Sequence, residues 1–358
     1  MKKLNTNNHL KKNNLLDSAT NKPLLTDLKR LIEGAKSRII YSANSELVLL
    51  YWKIGERIQE EILKNTRADY GDRIVATVSQ QLTQEYGRGF TKSSISRMVK
   101  FYKVFPDREI VATLSQQLTW SHFIELITLK PDLKCNFYTE MCRIERWSVR
   151  KLREKIDGML YERTAIAKKP AEVARLEIEN LRKEDVLTPD LVLKDPYLLD
   201  FLDLTDAYNE KDLESAILRE IEKFILELGS DFSFLSRQKR IVIGEEDYYI
   251  DLLFYNRALR RIIAIELKMG RFKAADKGQM ELYLRWLDKN EKRAGEESPL
   301  GIILCTDKNQ EQVELFELAQ NGIHIAEFIT QLPPQEIFEK KLHKAIEYAK
   351  AKLERSIS

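Results

Sequence analysis

Tyr248-Tyr249-Ile250-Asp251-Leu252-Leu253-Phe254-Tyr255 and Arg261-Ile262-Ile263-Ala264-Ile265-Glu266-Leu267-Lys268 are two apolar runs joined by a turn that opens with Asn256-Arg257. Their β-branched and aromatic content predicts two central strands, and the short polar join predicts that they pair as a hairpin. Gly270 is expected to end the second strand. Charges do not ordinarily stand in such runs, because an ionised carboxylate in a central strand is costly unless it is paired or bound to a cation. Strand alternation puts Glu266 and Lys268 on one face, with Ile265 and Leu267 on the other. Pairing about the turn lets Asp251 reach the same neighbourhood. The set offers hard oxygen ligands for a divalent ion with an ammonium beside it. Magnesium suits that oxygen environment and keeps several waters, so one ion can activate a water and neutralise the charge developing on a phosphate.

The flanking helices carry further candidates. After Gly270, Gln279 and Tyr283 are spaced i,i+4 on one helical face, where an amide and a phenol can both meet a substrate. Upstream, Asp212 to Gly229 reads as one helix whose apolar arc is Leu213, Ile217, Ile221, Phe224, Ile225 and Leu228. At about 100° per residue Glu214 falls inside that arc. An acid on a buried face requires a reason, and a place beside the metal site supplies one.

The order of helix (Glu214), strand, strand (Asp251), strand (Glu266-x-Lys268), helix (Gln279, Tyr283) and strand resembles the PD-(D/E)XK nuclease superfamily. The wording Tyr249-Ile250-Asp251-Leu252-Leu253-Phe254-Tyr255-Asn256 with Ile265-Glu266-Leu267-Lys268 is closer still to its YhcG-like branch. The resemblance implies Asp251 and Glu266 as metal ligands, Lys268 as the positioning or charge-stabilising residue, Glu214 as an accessory acid, and Gln279 and Tyr283 as supporting residues. Ile250 stands where the superfamily's name has proline, a position that carries no chemistry. Taken singly, Glu266-x-Lys268 also reads as a surface ion pair, Asp251 as a hydrogen-bonded turn residue, and Gln279 with Tyr283 as the edge of a core.

At 358 residues the chain is long enough for two domains with separate cores. With 59 Lys and Arg against 56 Asp and Glu the formal net charge is only +3, so the average conceals any patch. Three cysteines, Cys135, Cys142 and Cys305, stand in apolar surroundings, which excludes a disulfide framework, and four scattered histidines argue against a zinc site. No apolar run reaches membrane length and the start has no signal-peptide pattern, so the expected location is cytoplasmic.

In chain order, residues 1–22 are polar, Lys- and Asn-rich and without periodicity, and are read as a disordered arm. Residues 23–165 carry helical spacing throughout and are read as an all-helical domain. Within it, Thr91 is an N-cap for a helix from Lys92 to Val104. Ile95, Met98, Val99 and Tyr102 form its apolar face, while Lys92, Ser96, Lys100 and Lys103 form an adjacent stripe about 80° wide. Such a stripe suits the recognition helix of a helix-turn-helix, and it is equally a solvated face. Tyr86 to Arg163 holds 15 Lys and Arg against 9 Asp and Glu, an excess of +6. Ser121 and Ser148 are read as further helix caps, and His122 as a packing residue. Phrases such as Tyr51-Trp52-Lys53-Ile54-Gly55 and Leu118-Thr119-Trp120-Ser121 resemble the amino-terminal domain of YhcG-like proteins, which extends the likeness over nearly the whole chain. Pro170, Pro189 and Pro196 mark an interdomain connection over 166–209. Residues 210–332 form the nuclease domain and 333–358 a carboxy-terminal helix, whose apolar side fits either the body or a second copy in a homo-oligomer.

The expected class is therefore α+β: an all-helical amino-terminal domain followed by an α/β restriction-endonuclease-like domain with a mixed central sheet. The expected function is a magnesium-dependent deoxyribonuclease, with manganese as a substitute ion, nucleic acid as partner and no membrane association. The alternatives are a nucleic-acid-binding protein that keeps the fold as a scaffold, or a protein-interaction module.

Overall fold

The computed structural model describes residues 13–64, 70–130, 132–204, 208–229, 231–309, 313 and 322–357, with side chains described between residues 26 and 351. Residues 1–12 of the expected arm lie outside the described residues. From Asn13 the chain is already helical, in keeping with the Leu, Asp and Ala content of 15–19, so the helix Asn13–Leu63 begins inside the segment read as disordered. The chain divides into two compact units, Met1–Leu129 and Lys130–Ser358.

The first unit is helical. Asn13–Leu63 is followed by Tyr70–Tyr86, Lys92–Val104, Arg108–Leu114 and Trp120–Leu126. Ile58, Val75, Ile95, Met98 and Val99 form its core, with Tyr51, Ile54 and Trp120 packed against them. The Lys92–Val104 helix starts at Thr91, whose hydroxyl accepts from Ser94 N at 3.3 Å, as its sequence predicts. Phe101, which lay outside the predicted apolar face, is fully buried in an aromatic group with Phe105, Trp120 and Phe123. Trp52 donates to the Phe105 carbonyl at 2.7 Å and tethers the end of the helix to the long one. Ser121 is not a cap: Thr119 is, and His122 Nδ1 reaches back to accept from Thr119 N at 3.0 Å. Ser148, in the second unit, caps Val149–Asp157 as expected.

Gly55 sets the crossing of the long first helix with Lys92–Val104. A Cβ there would lie 2.1 Å from the Met98 carbonyl oxygen and 2.6 Å from its carbon, well inside contact distance. The backbones meet because one partner has no side chain.

In the second unit, a mixed six-stranded sheet has the order β1-β6-β5-β4-β3-β2. The strands are β1 (Tyr197–Leu198), β2 (Phe232–Ile243), β3 (Glu246–Asn256), β4 (Arg261–Arg271), β5 (Leu300–Asp307) and β6 (Ile323–Ile329). β2, β3 and β4 run antiparallel, and β4, β5, β6 and β1 parallel. Each face has its own core. Ile263, Ile265 and Leu267 of β4 pack with Leu213, Ile217 and Phe224 on one side. On the other, Ala264 and Ile262 pack with Met280, Tyr283 and Leu287 of the helix Ala274–Asn290. This is the layered arrangement expected of helices flanking a mixed sheet.

Two readings change. Gly270 does not end β4: at φ 118° it makes a bulge between Lys268 and Arg271, after which pairing with β5 resumes. The single helix 212–229 is two, Glu210–Arg219 and Ile221–Leu228, because Glu220 leaves helical geometry at φ −108° and ψ 31°. Residues 130–165 pack with the later residues of the second compact unit. Buried ion pairs hold them there: Arg163 donates to Glu227 Oε1 at 2.6 Å, and Glu140 is shared by Arg143 at 2.8 Å and Arg182 at 2.6 Å. The connecting stretch 166–209 is packed. It contains the helix Ala171–Glu184, and Asp195 takes ion pairs from Lys168 and Lys308. Residues 310–320 also read as a helix in the sequence, and that stretch lies outside the described residues save Val313. Phe338 and Leu342 of the last helix, Gln335–Ile357, are buried against Met159, Leu198 and Ile329 of the same chain.

The Gly55 crossing gives a direct test. Gly55→Ala should lower the stability of the full-length chain by about 1–3 kcal/mol, because neither backbone can yield to a new methyl group. The check is chemical denaturation followed by tryptophan fluorescence, with Gly34→Ala, where the new Cβ meets only the Arg38 guanidinium at 3.5 Å, as the tolerated control.

Candidate active site

The site forms where two neighbouring strands stop pairing. The β3–β4 ladder runs from Asn256↔Arg261 to Leu252↔Ile265 and ends there. The next inward donor on β4, Leu267 N, is taken instead by the Asp251 side chain, with Oδ2 at 2.8 Å. Beyond that point β3 is paired with β2 alone. Asp251 therefore stands at the fork, bonded to the strand that carries Glu266 and Lys268.

Glu266 and Lys268 share a face of β4, as strand alternation predicts, and Lys268 Nζ donates to Glu266 Oε1 at 3.1 Å. Gln279 donates to the same oxygen at 3.2 Å and to the Tyr283 hydroxyl at 2.5 Å. The Tyr283 hydroxyl donates in turn to the Tyr249 carbonyl at 3.0 Å, so the buried phenol is fully satisfied. The i,i+4 pair thus lies against the fork. Glu214 also arrives there, half-buried, although the helix carrying it ends at Arg219. The structure brings Glu214, Asp251, Glu266, Lys268, Gln279 and Tyr283 into one linked set.

Two members were not foreseen. Gln238 of β2 donates to Glu214 Oε2 at 3.1 Å and to Asp251 Oδ1 at 3.0 Å. Glu210 accepts from Met269 N at 2.9 Å. Arg237-Gln238-Lys239-Arg240 reads as the polar run of a solvated edge strand, so nothing local marks Gln238, and Glu210 reads as an ordinary first-turn acid.

The electrostatics follow from crowding carboxylates in a dry place. Burial, then the nearby Asp251 charge, push the Glu266 carboxyl up to about 7. Burial raises Asp251 as well, against the opposing hydrogen bonds from Leu267 and Gln238. Glu214 is raised by burial and by Asp251. For Lys268, burial works downward but Glu266 outweighs it, and the ammonium is held above its ordinary range. Glu266, Glu210 and Asp251 together hold the one lysine charged.

Among the described residues no group of three or more His, Cys, Asp and Glu is arranged as a ready cage for a metal. The donor chemistry nonetheless fits a hard divalent ion. Glu266 Oε2 is buried and has no hydrogen-bond partner, and the Asp251 carboxylate stands nearby. Magnesium is commonly held by one or two carboxylates while keeping several waters.

The carboxy-terminal part is a nuclease domain of the PD-(D/E)XK class: residues 190–344 match the family model described as the YhcG PDDEXK nuclease domain. Residues 27–163 match the DUF1016 N-terminal domain. The chain is 31% identical over 337 residues to YhcG of Escherichia coli (strain K12), across 85% of this chain and 89% of that protein. It belongs to the YhcG family. Among solved structures it is similar to a repair endonuclease from Pyrococcus abyssi, with 23% identity, 36% of this chain and 50% of that one covered, and a TM-score of 0.25. It is also similar to EndoMS in a complex with double-stranded DNA, with 20% identity, 36% and 49% covered, and a TM-score of 0.27. The chain spans about half the length of these two structures.

A raised carboxylate has a sign in stability. Glu266 favours the folded state fully only below its unfolded value of 4.5, and the advantage is lost as pH rises through about 7. In chelator, Glu266→Gln should therefore be more stable than the parent at pH 8, by on the order of 2–3 kcal/mol, and the gap should close toward pH 5. Thermal melts across that range check it.

Proposed function

We propose that this protein is a divalent-cation-dependent deoxyribonuclease that hydrolyses phosphodiester bonds, with magnesium as the working ion and manganese able to replace it. The observation that carries the reading is the buried, unpartnered Glu266 Oε2 beside Asp251. Asp251 and Glu266 are the residues that would hold the ion. When bound, it supplies Lewis-acid stabilisation of phosphate charge and a more acidic water.

The chain's own groups do the rest. Lys268, kept protonated by the acids around it, places a fixed positive charge next to the reacting phosphate, the kind of preorganised electrostatics that usually contributes most to catalysis. Gln279 orients Glu266 by donating to Oε1, and Tyr283 braces Gln279 while tying it to β3. Glu214 is an accessory acid. The basic stripe of the helical unit contributes nucleic-acid binding: Lys92, Ser96, Lys100 and Lys103 are all exposed, and Ile95, Met98 and Val99 are buried on the adjacent face of the same helix. That face is available to phosphates.

The test is incubation of the purified full-length protein with linear, circular, branched and single-stranded DNA and with RNA, in magnesium, manganese or chelator. Cation-dependent cleavage of DNA is expected. Lys268→Ala and Glu266→Ala should each lower it by at least about a hundredfold, in line with the loss of one preorganised charge-stabilising group. Turnover unchanged in either variant would remove that residue from the chemistry, and binding without cleavage across the panel would favour a scaffold role.

The stripe is tested separately. Lys100→Ala with Lys103→Ala should weaken DNA binding uniformly across sequences and reduce the steepness of its salt dependence by about two phosphate contacts. Fluorescence anisotropy at several salt concentrations measures it, and an unchanged salt slope would return the stripe to an ordinary solvated face.

A further inference from the structure

Gln238 sits at a point where the backbone should not favour it. It lies in the middle of β2, opposite Asp251, between the pairs Arg237↔Leu252 and Lys239↔Ile250. Its φ is 44°, in the left-handed region that glycine adopts freely and other residues seldom do. Non-glycine residues held there are strained, and such strain collects at functional sites. From this position the carboxamide nitrogen reaches two acids at once, Glu214 Oε2 at 3.1 Å and Asp251 Oδ1 at 3.0 Å. An amide NH2 has two hydrogens, so both bonds can be made together. Since Leu267 N already holds Asp251 Oδ2, the Asp251 carboxylate is fixed at both oxygens.

We infer that Gln238 is a positioning residue of the site, a neutral clamp that holds Glu214 and Asp251 in the arrangement needed to take up a divalent cation. The inference rests on the proposed role of Asp251 and Glu266 in holding that ion. The chemistry of the amide fits the task. Lysine or arginine at this point would neutralise an acid and compete with the cation. The amide orients the carboxylates without cancelling their charge. Gln279 treats Glu266 in the same way from the other side, as a neutral donor. The clamp also bridges elements distant in sequence, because Glu214 comes from the helix Glu210–Arg219 and Asp251 from β3.

The left-handed backbone makes the test clean. Gln238→Gly removes the amide and relaxes the backbone in one step, so loss of fold does not confound it. Three quantities are measured on the full-length chain: the melting temperature in chelator, calcium and manganese affinity by calorimetry, and kcat and KM for the DNA substrate that the parent cleaves. The expected result is a melting temperature equal to or above the parent's, cation affinity lowered about 10–100-fold, as for loss of groups that orient metal ligands, and kcat lowered with KM little changed. Parental cation affinity and parental kcat in Gln238→Gly would overturn the inference while leaving the nuclease reading intact. A large fall in melting temperature with cation affinity unchanged would also overturn it, since the amide would then serve folding alone. A parent chain that binds neither ion would overturn the reading on which the inference rests.

Discussion

The fork between β3 and β4 is the constraint on which the nuclease unit depends. Where the ladder stops after Leu252↔Ile265, backbone groups that an unbroken sheet would pair with one another need other partners. Asp251 supplies one to Leu267 N, and Tyr283 supplies another to the Tyr249 carbonyl. Side chains thus replace ladder bonds, and each that does so is tied to the chemistry. The helix Ala274–Asn290 can reach the fork only because Met280, Tyr283 and Leu287 are buried against the sheet beside it. Position and packing are one requirement here.

A second set of interactions explains why the unit is larger than its sheet. Glu140, Glu227 and Asp195 are each approached by two cationic side chains, and most of these partners come from distant parts of the chain. Arg163 and Lys194 both converge on Glu227, which also accepts from Leu198 N at 2.9 Å. Such buried pairs add little net stability over apolar packing, but removing one partner is severe, so they specify arrangement more than they strengthen it. Here they bind residues 130–196 to the sheet.

These pairs also show where sequence reading stops. The two strands, the turn at Asn256 and the shared face of Glu266 and Lys268 follow from local composition and alternation, because strand geometry repeats every two residues. Gln279 and Tyr283 follow from helical spacing in the same way. Gln238 does not, since its meaning lies in two acids 24 and 13 residues away and in a φ that no neighbouring residue announces. Nor does the break at Glu220, which no glycine or proline marks. Gly270 misled for a different reason: glycine permits a left-handed turn, and the same freedom that can end a strand can also bulge it and let it continue.

The donors around the acids have a pattern that bears on why the site exists in this form. Gln238, Gln279 and the Leu267 backbone amide are all neutral, and Lys268 alone is charged. A protein built to minimise the cost of burying acids would meet them with arginine or lysine, as this chain does at Glu140, Glu227 and Asp195. At the fork it orients the acids with neutral groups and leaves most of their charge in place. That raises the carboxyls of Asp251, Glu214 and Glu266 and weakens the metal-free fold, a cost carried by the apolar cores on both faces of the sheet. The contrast within one unit, charges cancelled where they brace and preserved where they crowd, sets the acids of the fork apart from Glu140, Glu227 and Asp195.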